Sequence, residues 1–400
     1  MKMKTSPKEQ FVSTTNACKL CRPMGAALAF RGIEGAVPFL HGSQGCATYM
    51  RRYIISHFNE PIDIASSSLG EKNAVFGGGP NLKLGLDNVS AKYSPTLVGV
   101  ATTCLTETIG DDVPRLIKEY VRERSERTDL PELVNVSTPS YSGTHMEGFH
   151  GAIKSIVEQL TGDHAQKHDA VNILPGFVSP ADIRYLKEVM ADFGQQATIL
   201  PDISDTLDGP ALREYPLIPP GGTPLAAIRA MGGAKASIEF GSTLNPDATT
   251  GKFLEKKQGV RNHLLGLPMG INKTDAFFRV LELLTGKPSP EKHRAERDRL
   301  VDAYVDGHKY VSGKRAVIYG EEDLVVGLTS LLAEFGIHPV LCASGGTSGR
   351  MAEAIRAATG DILPEQPLVR EDHDFYEIAA LTEELKPDLL VGHSKGYPMS

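Results

Sequence analysis

The chain has 400 residues, a formal net charge of −7 and 41% apolar residues. This length and composition predict a globular protein of two or three domains and exclude a disordered or fibrous chain. Its few basic stretches are interrupted by acids, so a nucleic-acid partner is not expected. No run of about 18 to 20 apolar residues predicts a membrane-spanning helix, and the polar start MKMKTSPKEQ lacks the core of a secretion signal. We therefore expect a cytoplasmic protein without a membrane partner.

The first predicted elements bring Cys21 and Cys46 to the beginnings of helices and Cys104 to the carboxyl end of a strand. Cys21 precedes the helical stretch MGAALAF, and Cys46 follows the strand VPFLHG in the turn HGSQGC. Cys104 comes two residues after the strand TLVGVA, ahead of a helix predicted over IGDDVPRLIKEY. Open α/β sheets bind ligands at the carboxyl ends of their strands, and a helix N-terminus lowers the pKa of a thiol. The pattern therefore predicts three thiolates that hold one iron–sulfur cluster.

The other residues of this region have simpler interpretations. Five cysteines, an odd number in a long chain, predict reduced thiols, and Cys342 inside the strand IHPVLCASG is expected to be a small buried hydrophobe. Cys18 and Cys21 form a CxxC pair, but no second pair completes a zinc site, so the role of Cys18 stays open. His41 is expected to pack or cap rather than bind metal. The glycines at 77–79 match no phosphate-binding motif, which excludes ATP binding by a P-loop.

The rest of the chain alternates strand and helix in the pattern of parallel βαβ units. In SPADIRYLKEVMADFG, Ser179 is the expected cap, and Ile183, Leu186 and Met190 form one apolar face that ends before Gly194. Strand RAVIYG leads into helix EEDLVVGLTSLLAEFG, and FYEIAALTEELK precedes strand PDLLVG. The fold class is therefore predicted to be α/β with parallel sheets.

Polar stretches around TGDHAQKHD and SPEKHRAERDR predict the domain boundaries. They divide the chain into a cluster-binding domain at residues 1–165, a second α/β domain at 166–310 and a third at 311–400. After the last predicted strand the sequence continues only with SKGYPMS, and no helix covers that strand. We therefore expect that a C-terminal tail is missing from this sequence.

Motifs along nearly the whole chain resemble the β-type subunit of nitrogenase component 1 and its relatives, in the family's order and spacing. The matching stretches are CRPMGA, LHGSQGC, SHFNEPIDIASSS, AVFGGG, TTCLTETIGDD, TPSYSGTH, SPADIRYLKEVMADFG, GGTP, LGLPMGI, DGHKY and GHSKGY. The resemblance implies three Rossmann-like domains in an α2β2 heterotetramer. It also implies an [8Fe-7S] P-cluster at the interface of the α-type and β-type subunits, with three cysteines from each.

Cys21, Cys46 and Cys104 fall on the three β-side ligand positions of that family. Ser140 in TPSYSG matches the serine whose hydroxyl joins the oxidised cluster of the molybdenum enzyme, although a turn-capping serine after Pro139 is the simpler interpretation. Tyr49 resembles a residue between the P-cluster and the catalytic cofactor, and a packed tyrosine is its alternative. The resemblance places no catalytic residue in this chain, and the glycines Gly25, Gly42 and Gly45 suit a crowded cluster loop.

Three functions follow as hypotheses. The first is a nitrogenase-like reductase subunit that relays electrons from an ATP-hydrolysing iron protein to a cofactor in the α-type subunit, because all three cysteines and Ser140 are retained. The second is an N-type scaffold subunit with a [4Fe-4S] cluster, on which the iron–molybdenum cofactor matures. The third is a metal-free α/β binding protein. The substrate, dinitrogen or a thioether C–S bond as in the methylthio-alkane reductases, depends on the α-type chain.

Overall fold

The computed structural model describes residues 18–58, 60–162, 165–360 and 362–399, with the backbone alone at 398 and 399. The polar start, on which the prediction of no secretion signal depends, lies outside the described residues. Within the described part, three four-stranded parallel sheets alternate with helices, which confirms the predicted α/β class with three Rossmann-like units. None of the described helices combines the length and the apolar content that crossing a bilayer requires.

The first sheet has the order β2-β1-β3-β4. Its central strands β1 and β3 are completely buried, as expected for parallel strands covered on both faces. The strands are β1 (Ala36–His41), β2 (Ala65–Ser66), β3 (Leu97–Thr102) and β4 (Glu132–Val136). The helices are α1 (Arg22–Arg31), α2 (Gln44–Phe58), α3 (Glu71–Phe76), α4 (Gly79–Tyr93), α5 (Cys104–Ile109), α6 (Val113–Glu123) and α7 (His145–Leu160).

The second sheet has the order β6-β5-β7-β8. Helix α8 confirms the sequence prediction, because Ser179 caps it through a hydrogen bond from the Asp182 amide and its predicted apolar face is buried. The strands are β5 (Val171–Leu174), β6 (Ala197–Ile199), β7 (Ala236–Phe240) and β8 (Asn262–Leu265). The helices are α8 (Pro180–Asp192), α9 (Leu225–Ala230), α10 (Thr250–Gln258), α11 (Gly270–Thr285) and α12 (Glu291–Val311).

The third sheet has the order β11-β10-β9-β12. Its strands are β9 (Arg315–Gly320), β10 (His338–Ser344), β11 (Leu368–Arg370) and β12 (Leu389–Val391). Its helices are α13 (Glu322–Glu334), α14 (Met351–Thr359) and α15 (Phe375–Leu385). The three sheets occupy separate parts of the chain, and the exact domain boundaries at 165 and 310 stay predictions.

Helices α1 and α7 pack with their backbones almost in contact. A Cβ atom on Gly25 would stand 1.7 Å from the carbonyl oxygen of His145, and one on Gly148 would stand 1.8 Å from the carbonyl oxygen of Arg22. No side chain fits at such distances, so both positions require glycine. This contact fixes the start of α1, where Cys21 is the N-cap residue, against the start of α7.

Two buried carboxyl groups lie at the start of α13, and one of them, Asp323, joins the third sheet to the rest of the chain. The Asp323 carboxylate accepts hydrogen bonds from the Thr243 amide at 2.8 Å and the Thr243 hydroxyl at 3.1 Å, which links α13 to the loop after β7. Glu322 is 6% exposed and accepts a hydrogen bond from the Ser348 amide. Burial, opposed by the Ser348 hydrogen bonds, raises the pKa of Glu322 from 4.5 to about 7.

The raised pKa of Glu322 predicts that stability falls as the pH rises. The folded chain binds this proton more tightly than the unfolded chain, so the free energy of unfolding decreases between the unfolded pKa and the folded pKa of about 7. We expect urea unfolding from about pH 5 to about pH 8 to show this decline, and Glu322→Gln to reduce its slope. The exposed Glu353, substituted as Glu353→Gln, is the control, and an equal slope in wild type and Glu322→Gln would contradict the prediction.

Candidate metal centre

The three sequence-predicted cysteines all stand at helix N-termini. Cys21 is the N-cap residue of α1, Cys46 is the third residue of α2, and Cys104 is the first residue of α5. The short helix α5 was not expected, because the sequence predicts that the helix after Cys104 lies over IGDDVPRLIKEY. That stretch divides at Gly110, whose φ of +79° ends α5, and α6 begins at Val113.

The pairing of β1 with β3 explains why Cys46 and Cys104 lie in neighbouring loops. The two strands are parallel neighbours, and their last residues, His41 and Thr102, are direct register partners. The loops that carry Cys46 and Cys104 therefore leave the same edge of the sheet side by side. Cys21 is brought to this edge from outside the sheet by the packing of α1 on α7.

Cys46 lies close enough to Cys21 and Cys104 to interact with both thiols electrostatically. Its pKa is raised first by partial burial and then by the negative charges of Cys21 and Cys104, which act on it directly. The backbone amide lowers the pKa of Cys46 as expected, but this effect is the smaller one and the net change is upward. Burial and mutual repulsion of three thiolates outweigh the backbone amides, and a bound cation would reverse that balance.

Ser140 connects the two more exposed cysteine segments. Its amide donates a hydrogen bond to the Cys104 Sγ at 3.2 Å, and its hydroxyl accepts one from the Arg22 amide, also at 3.2 Å. Ser140 begins the short 3-10 helix Ser140–Ser142, and it is Ser142 whose hydroxyl donates to the Pro139 carbonyl. Ser140 thus lies beside Cys104 and next to the residue that follows Cys21.

The two remaining cysteines lie in apolar surroundings. Cys18 is buried against the third sheet, with its Sγ 3.8 Å from the Nε2 of His393, and burial raises its pKa to about 11. Cys342 is fully buried in β10, as predicted, and burial raises its pKa to about 12. Within the described residues all five thiols are free, and Cys21 is exposed where Cys18 is buried. The CxxC spacing therefore does not form a paired site.

His41 is a fully buried residue with both ring nitrogens hydrogen-bonded. Its Nδ1 is 2.9 Å from the Ser67 hydroxyl and its Nε2 is 3.0 Å from the Asp111 carboxylate. The same carboxylate accepts a hydrogen bond from the Gly78 amide, so the glycine run at 77–79 packs against a side chain of the chain itself. The sequence did not reveal this use of Asp111, although the GDD stretch directly after the Cys104 segment was a signal for it.

Several exposed aromatic side chains are near neighbours in sequence of the cysteine segments. Tyr49, one helical turn after Cys46, is 68% exposed and stacks on Tyr53 with ring centroids 6.5 Å apart. Phe76 at the end of α3 and Tyr141 beside Ser140 are also largely exposed. Tyr49 is therefore not packed into the core of this chain. Large exposed apolar groups of this kind favour a surface that a partner covers.

The donor set fits a polynuclear iron–sulfur centre and does not fit a single metal ion. Among the residues described, no three Cys, His, Asp or Glu side chains are arranged to hold one ion. The cysteines nevertheless act on one another electrostatically, and a cluster accepts one thiolate for each of several irons. Cys21 and Cys104 are exposed, so a group bound here can also take ligands from a second chain.

Comparison with known proteins identifies the family. Residues 21–400 match the model of the nitrogenase component 1 type oxidoreductases. The nitrogenase molybdenum-iron protein beta chain of Clostridium pasteurianum is 34% identical over 384 residues, which cover 95% of this chain and 82% of the relative. The chain of the same name from Azospirillum brasilense is 36% identical over 408 residues, 99% of this chain and 76% of the relative.

Solved structures agree with the sequence comparison. A chain in the structure titled nitrogenase Cp1 at pH 6.5 superposes with a TM-score of 0.93 at 32% identity, over 98% of this chain and 85% of the other. A chain of nitrogenase Cp1 at pH 5 superposes with a TM-score of 0.67 at 16% identity, which shows a shared fold alone. The chain therefore belongs to the family of nitrogenase component 1 type oxidoreductases, among its β-type subunits.

Proposed function

We propose that this chain is the β-type subunit of a nitrogenase-like reductase and holds an interface P-cluster-type iron–sulfur centre. In this role it passes electrons from an ATP-hydrolysing iron protein to a cofactor in the α-type subunit. The observation that supports the proposal is that three free thiols, Cys21, Cys46 and Cys104, interact electrostatically through Cys46, and that the Ser140 amide donates to the Cys104 Sγ. Family membership supports the oxidoreductase class, and the thiols support a cluster as the group bound.

The residues of this chain would act on the centre in distinct ways. Cys21, Cys46 and Cys104 would supply the thiolates, and Cys46 packs against the main hydrophobic core, which restricts water on its side. The Ser140 amide, which donates to the Cys104 Sγ, would delocalise charge from that sulfur and raise the reduction potential. When bound, a centre of this type supplies one-electron transfer at low potential.

The partner surface follows from the same geometry. Cys21 and Cys104 are exposed in this chain, and water would reach a cluster bound there unless a second protein covered it. The exposed Tyr49, Phe76 and Tyr141 provide apolar area for such a protein. We assign this surface to the α-type subunit of an α2β2 heterotetramer, and Tyr49 to the electron path across the interface.

The test is to purify the chain with its α-type partner under anaerobic conditions and to measure iron content and low-temperature EPR spectra, reduced and oxidised. We expect an iron content of about eight irons per α/β pair at this site and a P-cluster-type EPR signal on oxidation. A [4Fe-4S] spectrum combined with transfer of a cofactor to an apo-reductase would support a maturation scaffold instead. A colourless complex with free thiols would refute both functions.

Substitution of Ser140 is expected to change the oxidised state of the centre more than the reduced state. In Ser140→Ala the hydroxyl that is proposed to join the oxidised cluster is lost, whereas the backbone amide to the Cys104 Sγ remains. We predict a larger change in the oxidised than in the reduced EPR spectrum of the purified complex. The reduced spectrum also changes, because the hydroxyl accepts a hydrogen bond from the Arg22 amide beside Cys21. Ser142→Ala, two residues away, is the matched control. Identical oxidised spectra in both variants and wild type would remove Ser140 from the ligand set.

A further inference from the structure

His41 connects the loop of Cys46 with the loop of Cys104. It is the last residue of β1, and its backbone carbonyl accepts hydrogen bonds from the Thr103 amide at 3.2 Å and the Thr106 hydroxyl at 3.0 Å. Thr103 directly precedes Cys104, whereas Cys46 lies five residues after His41 along the chain. The backbone of His41 therefore holds the two ligand loops against each other.

The next residue brings the two loops into direct contact. A Cβ atom on Gly42 would lie 2.2 Å from the Thr103 hydroxyl oxygen, so the loops approach closely only because position 42 is glycine. The Gly42 amide donates a hydrogen bond to the Ser67 hydroxyl at 2.9 Å. Ser67 also contacts His41 Nδ1, so one serine fixes both residues at the end of β1.

The side chain of His41 extends this connection to the loop beyond Cys104. A carboxylate has no proton to donate, so the 3.0 Å contact assigns the ring proton to Nε2, which donates to Asp111. Nδ1 then accepts the Ser67 hydroxyl proton. The Asp111 carboxylate also accepts from the Gly78 amide, and the Asp111 amide donates to the Thr106 carbonyl. His41 and Asp111 together thus fix the ends of both ligand loops.

On the basis of the proposed function, we propose that His41 and Asp111 are positioning residues that set the distance and orientation between Cys46 and Cys104 in the cluster site. Neither residue binds the cluster. His41 is fully buried and the Asp111 side chain is 9% exposed, so water has little access to the hydrogen bond between them. Replacement of one residue leaves the other as a buried polar group without its partner. It also removes the contact that aligns the two loops.

A second histidine–aspartate pair, in which the histidine is buried and the Asp192 side chain is 31% exposed, provides a control. His293 Nε2 lies 2.9 Å from the Asp192 carboxylate, and the His293 side chain is 2% exposed. This pair joins α8 to α12, and neither helix carries one of the three cysteines. A purely structural role for His41 predicts that both pairs respond alike, with lower stability and unchanged cluster properties. A positioning role predicts that only the His41 pair changes the cluster.

The experiment compares His41→Leu, Asp111→Ala and His293→Leu in the anaerobically purified complex. We expect His41→Leu and Asp111→Ala to shift the midpoint potential of the cluster in the same direction and to broaden its EPR spectrum. Because the two residues act as one pair, the double variant should show an effect no larger than that of either single variant. His41→Gln retains a donor toward Asp111 and should recover most of the wild-type spectrum. His293→Leu should lower thermal stability and leave potential and spectrum unchanged.

The outcomes separate this inference from the function on which it rests. A wild-type complex without iron would refute the proposed function. A wild-type complex with iron, in which His41→Leu has the wild-type potential and spectrum, would refute the positioning role alone. Equal spectral changes in His41→Leu and His293→Leu would also refute it. If His41→Leu does not assemble, Ser67→Ala, which removes only the hydroxyl on Nδ1, decides the question by the same measurements.

Discussion

Replacement of Cys46 by alanine should eliminate the iron–sulfur centre while the chain stays folded. Cys46 interacts with the charges of both Cys21 and Cys104, so it is the thiol through which the three converge. Loss of a residue that only supports a metal ligand commonly costs 10- to 100-fold in affinity or activity, and loss of a ligand costs more. We therefore predict a decrease of at least about 100-fold in electron delivery and the disappearance of the P-cluster-type EPR signal.

Cys18→Ala is the matched control for this experiment. Cys18 shares the CxxC spacing with Cys21, yet its thiol is buried against the third sheet beside His393. We expect the Cys18→Ala complex to keep its full iron content and its EPR signal, and to lose stability only modestly. Retention of the signal in Cys46→Ala, or its loss in Cys18→Ala, would contradict the assignment of Cys21, Cys46 and Cys104 as ligands.

Gly148→Ala should both lower the stability of the chain and displace the Cys21 segment. The new methyl group would stand 1.8 Å from the Arg22 carbonyl oxygen, a backbone atom that moves only if α1 moves. Forced insertion of a methyl group into a packed core costs about 1–3 kcal/mol, and more where backbone must shift. The expected result is a lower midpoint of urea unfolding and a changed EPR spectrum, because Cys21 directly precedes Arg22.

Gly151→Ala, on the same helix, should have the opposite effect on stability. The nearest atom to a Cβ at this position is a Val136 methyl carbon at 3.9 Å, an ordinary contact. Replacement of a helical glycine by alanine then stabilises by about 0.5–1 kcal/mol through backbone entropy. Unfolding of the two variants under identical conditions measures the difference. Similar stabilities for Gly148→Ala and Gly151→Ala would show that α1 and α7 are not in rigid contact.

For three glycines the sequence predicted a crowded position correctly or incorrectly, but not the atoms that approach it. Gly25 and Gly42 were expected to make room for a cluster, but the atoms that they admit belong to the protein, the His145 carbonyl oxygen and the Thr103 side chain. Gly45 has no neighbour closer than 3.6 Å, so nothing in the described residues requires glycine there. A glycine in the sequence can indicate that another group comes close to that position. The sequence does not identify this group, because it belongs to a segment that is distant in the chain.

The sequence by itself determined the α/β class, the capped helix α8, the buried Cys342 and the positions of Cys21 and Cys46 at the starts of helices. These features depend on periodicity, capping and turn residues, which act over a few neighbouring positions. Only the tertiary structure decided that Ser140 lies between Cys104 and Arg22, that Cys18 packs against the third sheet, and that the pKa of Cys46 is raised. Burial and charge interactions depend on which distant segments meet, and strand pairing and helix packing set those contacts.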